Sequence, residues 1–244
     1  MFSPRLALAS LSGRADAEWA ASAAEYAGAA FLGGIALDAP SRTAARRLTE
    51  RDRDEFLPED PHTFIGAELR ALSDVPIRPG WNVRTTSVEP LREAATICSR
   101  HDALLEINAH CRQDELCAVG CGETLLADTD RLAEYVSAAS ATGAAVGVKV
   151  RAEIENVDLV DTATAIEAAG GAFVHVDAMD SEAVVGDVAE STELFVIANN
   201  EVRDGASARE YLDYGADAVS VGRPSDEPAV LRRVRSAVDE WFGE

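Results

Sequence analysis

Lysine is all but missing from this chain. Lys149 is the single one among 22 basic residues, the other 21 being arginine, against 43 acidic residues and a formal net charge of −21. No apolar run approaches the ~20 residues that a membrane-spanning helix needs. The opening MFSPRLALASLSGRAD holds a short apolar stretch without the basic leader and cleavage-type site of a secretory signal. Cysteine is scarce too: four in 244 residues, three of them crowded together, which is unlike the even spacing of a secreted disulfide framework. The expectation from these absences is a soluble cytoplasmic protein with reduced thiols. A lysine-free acidic surface is also what high salt favours, because screening removes the cost of self-repulsion and strong hydration keeps the chain dissolved. We therefore expect a halophilic source. No basic stripe signals nucleic-acid binding, although arginines scattered in sequence can gather in space.

What is present is a rhythm. EYAGAAFLGGIAL, SATGAAVGVKV, EAAGGAFVHV and LDYGADAVSV each pass from a helix-like end through glycine and a small residue into an apolar strand. The glycine suits a left-handed helix C-cap, and strands apolar on both faces belong in a parallel sheet covered by helices. Eight strands are expected, over 6–11, 30–37, 77–83, 103–107, 145–150, 172–176, 194–198 and 218–221. Between them Ser87, Asp128 or Thr129, and Ser181 read as helix N-caps, and Pro228 lies early in the closing helix. Residues 39–61, polar and carrying RDRDE, read as a partly helical insertion after the second strand of one domain spanning 1–244. Eight such units suit a closed (β/α)8 barrel, and a doubly wound open sheet would show the same period. Polar residues at the C-terminal ends of six consecutive strands favour the barrel, whose strand ends converge on one mouth. They are Asn82 with Arg84, Asn108 with Cys111, Lys149 with Arg151, His175 with Asp177, Asn199 with Asn200, and Gly222 with Arg223.

Lys149 lies in VGVKVR, where an ammonium needs a partner or a ligand to offset desolvation. A lysine leaning into solvent could have been replaced by arginine like every other, so we read it as functional. His175, in FVHVDA, is by itself an ordinary hydrogen-bonded core histidine, and its place beside Lys149 makes it a site candidate. Loops after the last two strands of such a barrel often cradle phosphate, with Asn200 able to take a left-handed turn and Gly222 allowing close approach. In NAHCRQDELCAVGCGETLL the cysteines are spaced C-x5-C-x3-C, lacking the C-x2-C knuckle of zinc and the usual iron–sulfur runs. No metal is expected there. Cys111 directly follows a strand and should reach the mouth, whereas Cys117 and Cys121 read as buried bystanders.

In these motifs the chain resembles the flavin-dependent dihydrouridine synthases, and more distantly the dihydroorotate dehydrogenases. NAHC followed by GCGETLL is similar to the family's Asn-x-x-Cys and Gly-x-Gly-x-x-Leu-Leu elements, and VKVR, VHVD, ANNEV and VGRP follow in the family's order. The resemblance implies FMN as cofactor and NAD(P)H as electron donor. It implies that Lys149 and His175 contact the isoalloxazine, that Asn108 lines flavin and substrate, and that Asn82 takes the place of a family glutamine. Asn199, Asn200, Gly222 and Arg223 would hold the phosphate. Cys111 would be the proton donor opposite the hydride, acting on a uracil-containing substrate, free or in tRNA. The departures are LALASLSGRAD in the first strand's motif, Arg112 for the proline after the cysteine, no arginine after His175, and Asn200-Glu201 for a glycine-aspartate turn. With Trp241–Glu244 following the eighth helix, the expectation is a short form without the C-terminal helical domain by which typical members hold tRNA. The alternatives are a flavin enzyme of a free pyrimidine or other small unsaturated compound, and a barrel that binds a phosphorylated ligand without catalysis.

Overall fold

Eight apolar runs become eight parallel strands: β1 (Leu6–Leu8), β2 (Ala29–Ala36), β3 (Arg78–Arg84), β4 (Leu104–Asn108), β5 (Ala145–Arg151), β6 (Phe173–Asp177), β7 (Phe195–Asn199) and β8 (Ala218–Val221). Each pairs with its sequence neighbour, and β8 returns to β1, so a computed structural model describing residues 1–243 shows a closed (β/α)8 barrel. Eleven helices accompany them: α1 (Ala17–Ser22), α2 (Ala39–Thr49), α3 (Pro61–Ala71), α4 (Val88–Arg100), α5 (Asp114–Cys117), α6 (Glu123–Leu126), α7 (Thr129–Ser140), α8 (Leu159–Ala168), α9 (Val184–Ser191), α10 (Gly205–Asp213) and α11 (Pro228–Phe242). Among the described residues no helix is long and apolar enough to cross a membrane.

The caps follow the local chemistry with two exceptions. Asp128 accepts a hydrogen bond from the Arg131 N–H at the start of α7, and Ser87 stands at the N-cap of α4. Ser181 does not cap α9, which starts at Val184 behind a turn ending on Ala183. Gly143, Gly170 and Gly215 take positive φ after their helices, as expected. Gly28 does not; its glycine is needed because a Cβ there would lie 2.1 Å from the Pro4 carbonyl oxygen.

The barrel interior has an aromatic floor. Phe31 and Phe173 meet with ring centroids 5.6 Å apart, and a Cβ on Gly147 would come within 2.4 Å of the Phe173 ring. One strand therefore gives up its side chain so that a neighbour's ring can fill the centre. The next layer up, toward the C-terminal ends, is polar: Asn82, Glu106, His175 and Ser220 are all fully buried. Residues 39–61 fold as α2, a loop and the start of α3. That loop is tied at three points: Gly13 of the β1 loop packs on the Asp54 backbone, Arg51 pairs with Glu115 at 2.6 Å, and Glu55 pairs with Arg84 at 2.6 Å.

Candidate active site

The polar layer is one hydrogen-bonded chain. Asn108 Oδ1 accepts the Cys111 N–H at 3.1 Å, while Asn108 Nδ2 donates to Asn82 Oδ1 at 2.8 Å. Asn82 Nδ2 donates to Glu106 Oε2 at 2.6 Å. From the other side Asn199 Nδ2 reaches Ser220 Oγ at 2.8 Å, Ser220 Oγ lies 2.7 Å from His175 Nε2, and His175 Nδ1 lies 2.6 Å from Glu106 Oε1. Burial opposes the charge on Glu106, but the His175 ring, the Lys149 ammonium and the Asn82 amide hold its carboxyl below the ordinary value. Burial and the Lys149 charge push the His175 imidazole down, against the pull of Glu106. A neutral ring with Nδ1–H aimed at a carboxylate leaves Nε2 as acceptor for the Ser220 hydroxyl. Both arms therefore donate inward and end on Glu106.

Lys149 stands at the same level, in register with Asn108 and His175. It is 3% exposed, and among the described residues its ammonium makes no hydrogen bond or ion pair. Burial pushes its pKa down, opposed by Glu106 and Asp177. A desolvated ammonium without a direct partner marks a place where a ligand acceptor belongs.

Above this layer a cavity of about 650 Å³ opens at the barrel mouth, with Asn108, Cys111, Arg84, Arg112, Arg151 and Arg223 among its walls. A groove of similar size, about 600 Å³, lies on the outside between α3 and α4, where no strand end reaches it. Arg84 is buried, its guanidinium held by Glu55 and by the Ser12 hydroxyl. A Cβ on Gly34 would fall 2.6 Å from Asn82 Oδ1 and 2.9 Å from the Arg84 guanidinium, so β2 is bare where both must sit.

The cysteines divide as their surroundings dictate. Cys111 is partly exposed in the mouth. Cys117 turns its thiol toward the Cys111 carbonyl at 3.4 Å, and Cys121 is buried with its thiol 3.5 Å from the Thr85 carbonyl. Burial pushes the Cys121 thiol up to about 12, leaving it protonated and unreactive.

The phosphate-side residues are arranged differently from the expectation. The N-terminus of α10 is closed by its own anion, since Asp204 accepts from the Ala206 and Ser207 N–H groups and Ser207 reciprocates. Asn199 reaches across to β8, and Asn200, at φ 116°, donates to the Met179 carbonyl at 2.7 Å. What remains for an anion is backbone. Among the described residues the N–H groups of Asn200, Glu201, Gly222 and Arg223 donate to no protein acceptor, and a Cβ on Gly222 would meet nothing within 4 Å. Free N–H groups beside an open space, Arg223 on the cavity wall, and a partnerless ammonium in register with Asn108 of that wall fit a cofactor carrying a phosphate at one end and a hydrogen-bonding ring at the other.

The candidate residues Asn82, Asn108, Lys149, His175, Asn199 and Cys111 are thus gathered on one layer or just above it. The ring nitrogens of His175 and the amide of Asn82 are engaged inside the barrel and present nothing free to the mouth. Sequence reasoning passed over Glu106, Ser220 and Glu55, and weighed His110 only as a neighbour of the cysteines. Glu106 was signalled by the rule used for Lys149, one charge in an apolar strand, LLEIN. His110, next to Cys111, has its imidazole pushed well down by burial and by the Lys149 charge, so it is neutral.

The model of the dihydrouridine synthase (Dus) family matches residues 83–242, about two thirds of the chain. An uncharacterized protein of Methanocaldococcus jannaschii is 24% identical over 231 residues, covering 90% of this chain and 88% of that one. Among solved structures the barrel is similar to a FabK mutant from Thermotoga maritima, with a TM-score of 0.61 and 14% identity over 92% of this chain, which spans 63% of the FabK chain. It is also similar to thiamine phosphate pyrophosphorylase from Pyrococcus furiosus, with a TM-score of 0.57, 13% identity and coverage of 97% and 96%. Those structural likenesses carry the fold, and the family match carries the motifs from the end of β3 onward. This chain belongs to the dihydrouridine synthase family, whose members are FMN-dependent oxidoreductases.

Proposed function

We propose that this chain reduces the C5–C6 bond of a uracil ring, with FMN as cofactor, NAD(P)H as electron source and Cys111 as proton donor. The observation that carries the reading is the pairing of a mouth-facing thiol on the β4 loop with a buried, partnerless ammonium on the neighbouring strand β5. The backbone N–H groups of Asn200, Glu201, Gly222 and Arg223 would hold the FMN phosphate, and Lys149 its ring. Bound there, FMN supplies hydride transfer to the substrate double bond.

The chain's own residues do the rest. Asn108 fixes the Cys111 backbone, aiming Sγ at the cavity. Cys111 holds a proton on Sγ and gives it to the ring carbon opposite the incoming hydride, after which solvent restores the thiol. Glu106 orients His175 and, through Asn82, Asn108, while its charge opposes the effect of burial on Lys149 without contacting it. Our reading gives His175 a positioning role in place of a direct flavin contact. The ring belongs to tRNA or to a free pyrimidine.

Purified protein reconstituted with FMN should show the bound-flavin absorption bands, lose them on anaerobic addition of NADPH, and regain them with a uracil compound. A protein that takes up no FMN overturns the reading.

A further inference from the structure

Besides Arg53 and the Glu55-bound Arg84, the arginines lining the mouth stand on two opposite sides. In a closed ring of eight strands, β8 and β1 lie across from β4 and β5. Arg14 and Arg223 stand on the first side, with the unused N–H groups of Gly222 and Arg223. Arg112, next after Cys111, and Arg151, ending β5, stand on the second. Among the described residues neither the Arg112 nor the Arg151 guanidinium makes a hydrogen bond or ion pair, although the chain has 43 acidic residues against 22 basic ones. Asp177, the register neighbour of Arg151 on β6, also lines the cavity but forms no ion pair with either arginine. Two unneutralised guanidinium groups on one cavity wall suit an anion that both can grip through charge-assisted hydrogen bonds. A cofactor whose phosphate sits at β7 and β8 leaves them free for a second ligand.

We infer that Arg112 and Arg151 form an anion subsite for the substrate, so that the ring reduced beside Cys111 belongs to a small free molecule carrying its own phosphate or carboxylate. The inference rests on the flavin-reductase reading above. Size supports it, since about 650 Å³ lies within the range of small-molecule sites. So does the rim: the tied loop walls the β2–β3 side and shows Asp52 and Asp54 to solvent. A long polyanion would meet those carboxylates and a net charge of −21 before it reached the arginines, whereas one anionic group inside the cavity meets the arginines first.

The test is equilibrium titration of the FMN-loaded protein, at one fixed salt concentration, with uracil, uridine, uridine 5′-monophosphate, uracil-6-carboxylate and unmodified tRNA. The same compounds are then compared as anaerobic oxidants of the reduced flavin. One of the two anionic compounds should bind about 10–100-fold more tightly than its neutral counterpart, as expected for hydrogen bonds to a charged group, and which one does so identifies phosphate or carboxylate. The double variant Arg112→Gln/Arg151→Gln should erase that preference while still taking up FMN. Equal affinity for charged and neutral compounds, a preference untouched by the double variant, or preference for tRNA over both anions overturns the subsite. Absence of FMN uptake, or of flavin oxidation by every uracil compound, overturns the underlying reading instead.

Discussion

Glu106 and His175 meet at 2.6 Å inside the barrel, both fully buried, and the side-chain hydrogen bonds of Asn82, Asn108, Ser220 and Asn199 lead toward that carboxylate. One anion thus sets the orientation of Asn82, Asn199 and Ser220, which come from three other strands, and of Asn108 on its own strand.

The pH dependence of stability follows from this pair, and both members act with the same sign. Glu106 is held below its ordinary 4.5, so its contribution is present above that value and is lost as pH falls through the folded pKa. His175 is held below 6.5, so the unfolded chain takes up a proton that the folded chain refuses, and stability drains as pH drops below 6.5. Denaturant midpoints measured between pH 7 and pH 4 should fall more steeply for the wild type than for Glu106→Gln/His175→Asn. Parallel curves would show that the pair does not set the acid limit.

Lys149→Met should have two opposed effects. Removing a buried ammonium that lacks a partner stabilises the cofactor-free chain; about 1 kcal/mol corresponds to a Tm rise of ~2–4 °C at this size. FMN affinity should drop by at least about tenfold, the loss of one charge-assisted contact. Calorimetry of the cofactor-free protein and flavin titration read the two effects separately, and an unchanged FMN affinity would remove Lys149 from the site.

Cys111→Ala should keep FMN binding and its spectrum while slowing substrate reduction by about 10²–10⁴-fold, the usual contribution of a positioned acid. Cys121→Ala, at a buried thiol held protonated, should leave the rate constant of reduction near wild type. Single-turnover oxidation of the reduced flavin separates them; equal rates for Cys111→Ala and wild type would refute the acid role.

Glu55→Ala leaves the Arg84 guanidinium buried without its carboxylate and should cost about 3–5 kcal/mol in urea unfolding. Glu55→Leu/Arg84→Met should recover most of that. A small loss in the single variant would mean the loop relaxes away from the barrel.

The eight strands were legible because each is apolar on both faces and most follow a glycine that ends a helix. Gly143, Gly170 and Gly215 do what that pattern implies, whereas Gly28 carries the same signature for a steric reason supplied by Pro4, far away in the barrel wall. The site was legible where chemistry conflicts with surroundings, as at Lys149 in VGVKVR. It was illegible where side chains spend their hydrogen bonds on one another: nothing in VHVD says that both nitrogens of His175 are taken, and nothing in RDRDE says that Glu55 dives to Arg84. Nor does the stretch after Asn200 say that Asp204 closes the N-terminus of the helix it precedes.

The three ties of the loop between α2 and α3 bear on the shape of the mouth. With Gly13, Glu115 and Arg84 pinning it, a loop that could have swung is a fixed wall of the mouth, so the cavity's shape on that side is set by the barrel and not by what enters it.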